Sequence, residues 1–312
     1  KMDAWGNFWQ KGHSTTFGEY YADGYTKGYI SQWWETILET HNKDDLSILE
    51  VGCGNASLLP CTLDYKVKGH YYGVDAAKVT LSAAVEKRIN GDLTVSLTSN
   101  KKIEEYQPNS TFDLIASVYG VEYSNLEQSL PSLRAMLAPD GQINFLMHHS
   151  GSVITDMSEK ALGEFDFESM TTIVDHLKTI NSELNKLKGK LAKLKKSEVA
   201  EHARIQVNEF VSNTMNESSD DRNPILVDFC VMVLGFFKKI QQPRQERKDH
   251  IESIMPDFYA SKERFRQMVD VARNADEIEI FKENMTNAGF SEVIIEPMNK
   301  DGKPVAWKIT AN

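Results

Sequence analysis

The sequence predicts an α/β fold, a mainly parallel sheet interrupted after its fifth strand by an α-helical insertion. Three observations lead there. Short apolar runs of buried-strand composition alternate with helical segments from residue 46 to 147, the pattern of βαβ crossovers. From about 151 to 260 the apolar residues keep helical spacing alone. Beyond that, a helix and a strand–turn–strand pattern close the chain.

The elements follow in order. Tyr29, Ile30, Trp33, Trp34, Ile37 and Leu38 recur at helical spacing, so residues 25–38 read as an amphipathic helix. Ser47-Ile48-Leu49-Glu50-Val51 reads as a buried strand ended by the glycine turn Gly52-Cys53-Gly54. Residues 71–75 are the second strand, 76–88 a helix, 94–97 the third strand and 112–117 the fourth. A helix over 126–137 ends at Ala138-Pro139-Asp140-Gly141, and residues 142–147 form the fifth strand. In the insertion, Ile173, Leu177, Ile180, Leu184, Leu187, Leu191 and Leu194 step alternately by four and three, an a/d seam. Six lysines between 186 and 196 surround its second half and read as a solvated face. A second apolar run, 225–237, would complete an antiparallel helical hairpin. A helix over 276–288 stops at Gly289, and residues 293–295 and 304–309 flank the hairpin turn Asn299-Lys300-Asp301-Gly302.

Composition narrows the function. With 312 residues, 41% of them hydrophobic, the chain can bury a full core. Its net charge of −10 repels phosphate backbones, which argues against a nucleic-acid partner. The three cysteines, Cys53, Cys61 and Cys230, form no CxxC pair and no zinc spacing. No stretch approaches the roughly 18–20 apolar residues of a membrane span, so no membrane association and a cytoplasmic location are expected.

The chemistry concentrates at strand ends. Glycines after a parallel strand let a backbone pass close to a ligand at the carboxyl edge of the sheet. Here Glu50 stands two residues before the first glycine, and the dinucleotide fingerprint is incomplete, with Ser57 in place of its third glycine. Asp75 ends the second strand, where a carboxylate can accept both hydroxyls of a ribose.

Glu50-Val51-Gly52-Cys53-Gly54 with Asp75 resembles motifs I and II of the class I S-adenosylmethionine-dependent methyltransferases. Phe112-Asp113-Leu114-Ile115 is similar to their fourth strand, and Leu137-Ala138-Pro139-Asp140-Gly141 to the turn before their fifth, with Asp140 replacing a glycine. Ala288-Gly289-Phe290 and the hairpin after it resemble their antiparallel strands six and seven. The resemblance implies a Rossmann-like seven-stranded sheet and S-adenosylmethionine as cofactor. It implies further that Gly52 and Gly54 pass beneath the methionine part, that Glu50 orients the loop and the amino group, and that Asp75 holds the ribose. Ala76 would lie against adenine, Ser99 or Asn100 would reach the adenine amino group, and Ser117 and Val118 would meet the methionine moiety.

Acceptor chemistry rests on fewer signals. His148 and His149 follow the fifth strand, and histidine has the unperturbed pKa of a general base near neutrality. Consecutive residues at a strand end point apart, so one of the two is expected to reach the acceptor. Tyr119 and Glu122, after the fourth strand, either bind a cationic or hydroxylated group or pack behind it. The N-terminal aromatics either staple the first helix to the sheet or form a lid, with Tyr25 and His13 as its candidates. No metal site is expected. The organisation read from the sequence is an aromatic helical lid (1–45), a cofactor-binding core (46–150), a helical insertion (151–260) and a C-terminal completion of the core (261–312). The expected function is methyl transfer to a small-molecule O or N acceptor. A catalytically silent cofactor-binding module that associates through its helical hairpin, or homodimerises there, is the alternative. Ser57 disfavours a nicotinamide-dependent oxidoreductase.

Overall fold

A computed structural model describes residues 4–11 and 28–312 of the chain. The N-terminal part up to Met157 and the segment Gln267–Asn312 form one compact unit, and Ser158–Arg266 another. In chain order, the first unit contributes α1 (Ala4–Gln10), α2 (Tyr29–Thr40), β1 (Leu46–Val51), α3 (Leu59–Asp64), β2 (Gly69–Val74) and α4 (Ala83–Glu86). It continues with β3 (Leu93–Thr98), β4 (Phe112–Val118), α5 (Leu126–Met136) and β5 (Leu137–Met147). Helix α6 (Val153–Leu162) leads into the second unit, built from α7 (Phe167–Lys186), α8 (Leu191–Leu194), α9 (Glu198–Met215), α10 (Pro224–Lys238) and most of α11 (Arg244–Val271). The chain then returns with α12 (Ala275–Asn287), β6 (Ile294–Lys300) and β7 (Lys303–Ala311).

The seven strands form one sheet in the order β3-β2-β1-β4-β5-β7-β6. β1 to β5 pair in parallel, and β7 lies antiparallel between β5 and β6. Strand residues alternate between two cores, as a pleat requires. Ile48, Tyr71, Leu114 and Leu146 pack on one face with α2 and α3. Leu49, Ile115, Phe145 and Ile309 pack on the other with α5 and α12. Both faces are buried at β1 and β4, which is why these central strands read as mostly apolar runs.

Several boundaries differ from the sequence reading, each for a local reason. Only Ala83–Glu86 of the helix expected over 76–88 is α-helical. Side chains capture the backbone donors ahead of it: Ala77 N–H goes to Asp75, Val79 N–H to Ser99 and Thr80 N–H to Asn55. These side-chain bonds give the backbone an alternative to the helix there. The turn expected at 138–141 is an excursion inside β5, where Phe112 pairs with Leu137 but Leu114 pairs with Gln142. The closing hairpin turns tightly on Asp301 and Gly302, both at positive φ (53° and 77°), a two-residue turn of the primed kind.

The second unit is more than the two-helix hairpin expected. The seam is cut after Lys186, where Lys188 and Gly189 adopt positive φ and Gly189 N–H reaches back to Leu184 O, a C-terminal cap. α7 packs on α9 and α10. Ile173, Leu177 and Ile180 are buried there in a separate core with Val207, Phe229 and Ile254, and Leu184 is buried as well. No helix among the described residues is long and apolar enough to cross a membrane.

Candidate active site

The site begins where β1 ends. Gly52 N–H donates to Val74 O at 2.9 Å, which ties the loop after β1 to the last residue of β2. Gly52 sits at φ +62°, and a Cβ there would come 2.9 Å from the Cα of Gly120 after β4. Only glycine allows both the conformation and the approach. The Ser117 hydroxyl spans the same gap, donating to Val51 O and accepting Val121 N–H, both at 2.8 Å. Since β2 and β3 lie to one side of β1 and β4 to the other, this gap is the topological switch point of the sheet, where α/β folds hold ligands.

A cavity of about 580 Å³ opens there, within the range of small-molecule and cofactor sites. Among its walls are Gly52, Asp75, Ala76, Val118 and Tyr119 from the strand ends. Asp75 is half-buried, and its two carboxylate oxygens accept Gly54 N–H and Ala77 N–H, each at 2.8 Å. A carboxylate held by two backbone donors is fixed in place and still has lone pairs for a ligand. Helix α1 covers this end of the sheet. The Trp9 ring occupies the space that a Gly54 Cβ would take, its nearest atom 2.5 Å away, and Asn55 donates to Trp9 O. Trp5 and Trp9 both line the cavity.

Other candidate residues turn inward. Glu50 is buried and accepts hydrogen bonds from the Tyr71 hydroxyl and the Leu58 backbone; burial pushes its carboxyl up to about 8. It therefore braces the loop and does not line the cavity. The Ser99 hydroxyl is engaged with the backbone of Val79, and Asn100 holds a positive-φ turn (φ 55°). After β3 the cavity wall is formed instead by Lys101, Lys102 and Ile103.

The two histidines go to opposite faces, and neither lines the cavity. The His148 ring is buried, stacks on Tyr119 at 4.5 Å, and has Nε2 3.1 Å from the Tyr123 hydroxyl. Burial pushes its pKa down to about 3, so it is neutral across the physiological range and cannot titrate near 6–7. His149 stacks on Trp307 at 4.2 Å and accepts Gly151 N–H on Nδ1; burial lowers its pKa as well. Glu122 is buried beside this pair, its Oε1 accepting His148 N–H at 2.9 Å, and burial raises its carboxyl to about 7. Tyr119 lines the cavity at positive φ (51°), its hydroxyl donating to Val305 O and paired with the Tyr29 hydroxyl. Tyr25 and His13 lie outside the described residues.

Wall residues not singled out from the sequence include Trp5, Lys101, Tyr123, Gln267 and Asp270. Trp5 stood in the aromatic N-terminal segment, and Tyr123 lies four residues beyond Tyr119. For Gln267 and Asp270, at the end of α11, the sequence held no signal.

Residues 48–141 match the family described as methyltransferase domain. The core thus matches a methyltransferase domain, and its strand-end motifs resemble those of the class I S-adenosylmethionine-dependent enzymes. S-adenosylmethionine is the cofactor of that class, and the glycine cradle and the fixed carboxylate of Asp75 fit such a group. Solved structures with a similar fold include an S-adenosylmethionine-dependent methyltransferase from Clostridium acetobutylicum, 18% identical, with 48% of this chain matched to 61% of that one and a TM-score of 0.32. CalS10, an amino pentose methyltransferase from Micromonospora echinaspora, is 17% identical over 37% of this chain and 48% of its own, with a TM-score of 0.27. The N-methyltransferase NodS from Bradyrhizobium japonicum is 17% identical over 38% and 66%, with a TM-score of 0.30. The chain thus spans about half to two thirds of the length of these structures. No curated protein matches it. Outside the methyltransferase domain proper, the unit Ser158–Arg266 is an addition that the matched family segment does not include.

Proposed function

We propose that the chain is an S-adenosylmethionine-dependent methyltransferase acting on a small-molecule O or N acceptor. The observation that carries the reading is the cavity at the switch point. One wall is the positive-φ glycine loop after β1, and another is Asp75, anchored by Gly54 N–H. In this reading Gly52 and Gly54 pass beneath the methionine part and Asp75 accepts the ribose hydroxyls. Ala76 and Ile103 flank adenine, and Val118 borders the methionine side. Glu50 acts through the loop it braces. The bound cofactor supplies an activated methyl group. The chain's own residues hold donor and acceptor in line and exclude water, which accounts for most of the rate such a transfer needs. Trp5 and Trp9 serve as the cover. A small acceptor suits a cavity of about 580 Å³ with Trp5, Trp9, Tyr119 and Tyr123 among its walls.

The alternative, a silent module that associates through its helical seam, loses its main support, because the central seam residues are buried inside their own unit. The test is calorimetric titration with S-adenosylhomocysteine and, separately, with NAD. Saturable heat with the first and none with the second is the expected result. Binding of NAD alone would overturn the reading.

A further inference from the structure

We propose that the β4-side half of the cavity binds an organic cation, an ammonium-bearing small molecule, recognised by Trp5, Tyr123 and Asp270. The inference rests on the methyltransferase reading and names the acceptor class for the same cavity.

Sheet order divides the cavity. The walls after β2 and β3 hold Asp75, Ala76, Lys101 and Lys102, and the ribose-binding carboxylate assigns that half to the nucleoside. The other half is walled by the segment after β4, by α1 and by the last residues of α11. Its side chains include Tyr119, Tyr123, Trp5, Trp9, Gln267 and Asp270. Among the described residues lining the cavity, the Asp270 carboxylate stands at the end of α11, Glu104 reaches this half with its Oε1 accepting Asn125 N–H at 2.7 Å, and both lining lysines follow β3. Arg273, whose charge acts on Glu122, does not line the cavity: it lies over the Phe281 ring at 5.5 Å and donates to Val271 O.

The rings are held in place before any ligand arrives. Trp5 Nε1 donates to Gln267 Oε1 at 2.7 Å, and Trp5 meets Tyr123 edge-on at 5.6 Å. The Tyr123 hydroxyl is 3.1 Å from His148 Nε2, and the Tyr119 hydroxyl donates to Val305 O at 2.8 Å. Aromatic faces are the negative part of the ring quadrupole, so a fixed group of them beside a carboxylate favours a cation. Among the described residues, no lysine or arginine lines this half to receive an anionic acceptor. Rigid walls also reduce the ordering cost of binding.

The probes are choline and its uncharged carbon isostere 3,3-dimethylbutan-1-ol, titrated calorimetrically into the full chain with and without saturating S-adenosylhomocysteine. Choline should bind about tenfold more tightly than the isostere. Asp270→Asn and Trp5→Leu should each bring the two probes to near equality, and Asp270→Asn should do so with thermal midpoint and S-adenosylhomocysteine affinity retained. Asp270 is exposed, so its variant decides the matter even where Trp5→Leu disturbs α1. Equal binding of the two probes to the wild type, or a preference that survives Asp270→Asn, would overturn the proposal while leaving cofactor binding intact. A choline preference without any S-adenosylhomocysteine binding would support the cation site and overturn the methyltransferase reading instead.

Discussion

Glu50 and His148 show how burial decides what a titratable residue does. Glu50 has a folded pKa of about 8 against an ordinary 4.5, because the folded protein removes it from water. Its folded pKa is raised, so its contribution to stability is full below about pH 4.5 and is lost as pH rises toward about 8. Glu50→Gln keeps the shape and the bond to Tyr71 without the charge. The variant should gain stability relative to wild type as pH climbs through that window, by a few kcal/mol at its top. Thermal midpoints of both proteins across the window check this, and a difference constant with pH would count against the buried acid. His148 makes the opposite point. With its pKa near 3 it is a neutral packing ring that anchors Tyr123 and stacks on Tyr119. His148→Ala should cost about 2–5 kcal/mol in urea denaturation, the usual range for emptying a buried site. It should leave no missing limb near pH 6–7 in the activity profile; loss of such a limb would restore histidine as the base. The places of Gly52 and Asp75, just beyond strand ends and in the cavity wall, were legible in the sequence. Trp5, Lys101 and Asp270 were not, because their place in the wall depends on contacts between segments far apart in the chain.

At the scale of elements, the loop after β1 and helix α1 act together. Gly54 has φ +51°, and its missing Cβ leaves room for the Trp9 ring. Gly54→Ala should both strain the loop and push Trp9 away, costing about 1–3 kcal/mol. Loss of thermal stability together with a red shift in tryptophan emission would report the displacement of α1; unchanged emission would separate the two effects and detach α1 from the loop. The central strands β1 and β4 were readable because both their faces are buried and their residues are mostly apolar. The short α4 was misjudged because Asp75, Ser99 and Asn55 take its leading N–H groups, a competition that periodicity does not register. The break in the helical seam at Lys188-Gly189 was marked by a glycine, yet the leucines on either side continued the heptad spacing and concealed it.

At the scale of the molecule, the two units have separate cores, one pair on the sheet and one within Ser158–Arg266. Replacing 158–266 by a flexible linker should therefore leave a folded α/β unit, seen as a cooperative thermal transition; an insoluble product would make the helical unit part of the folding core. The central claim is that the cavity at the β1–β4 switch point holds the adenosyl cofactor with Asp75 on the ribose. Calorimetric titration of S-adenosylhomocysteine into wild type and Asp75→Ala tests it most directly. The account predicts saturable binding to wild type and a loss of about 1.5–3 kcal/mol in the variant, the value of hydrogen bonds to a charged group, or roughly 10- to 100-fold in affinity. Unchanged affinity in a folded Asp75→Ala protein would contradict it.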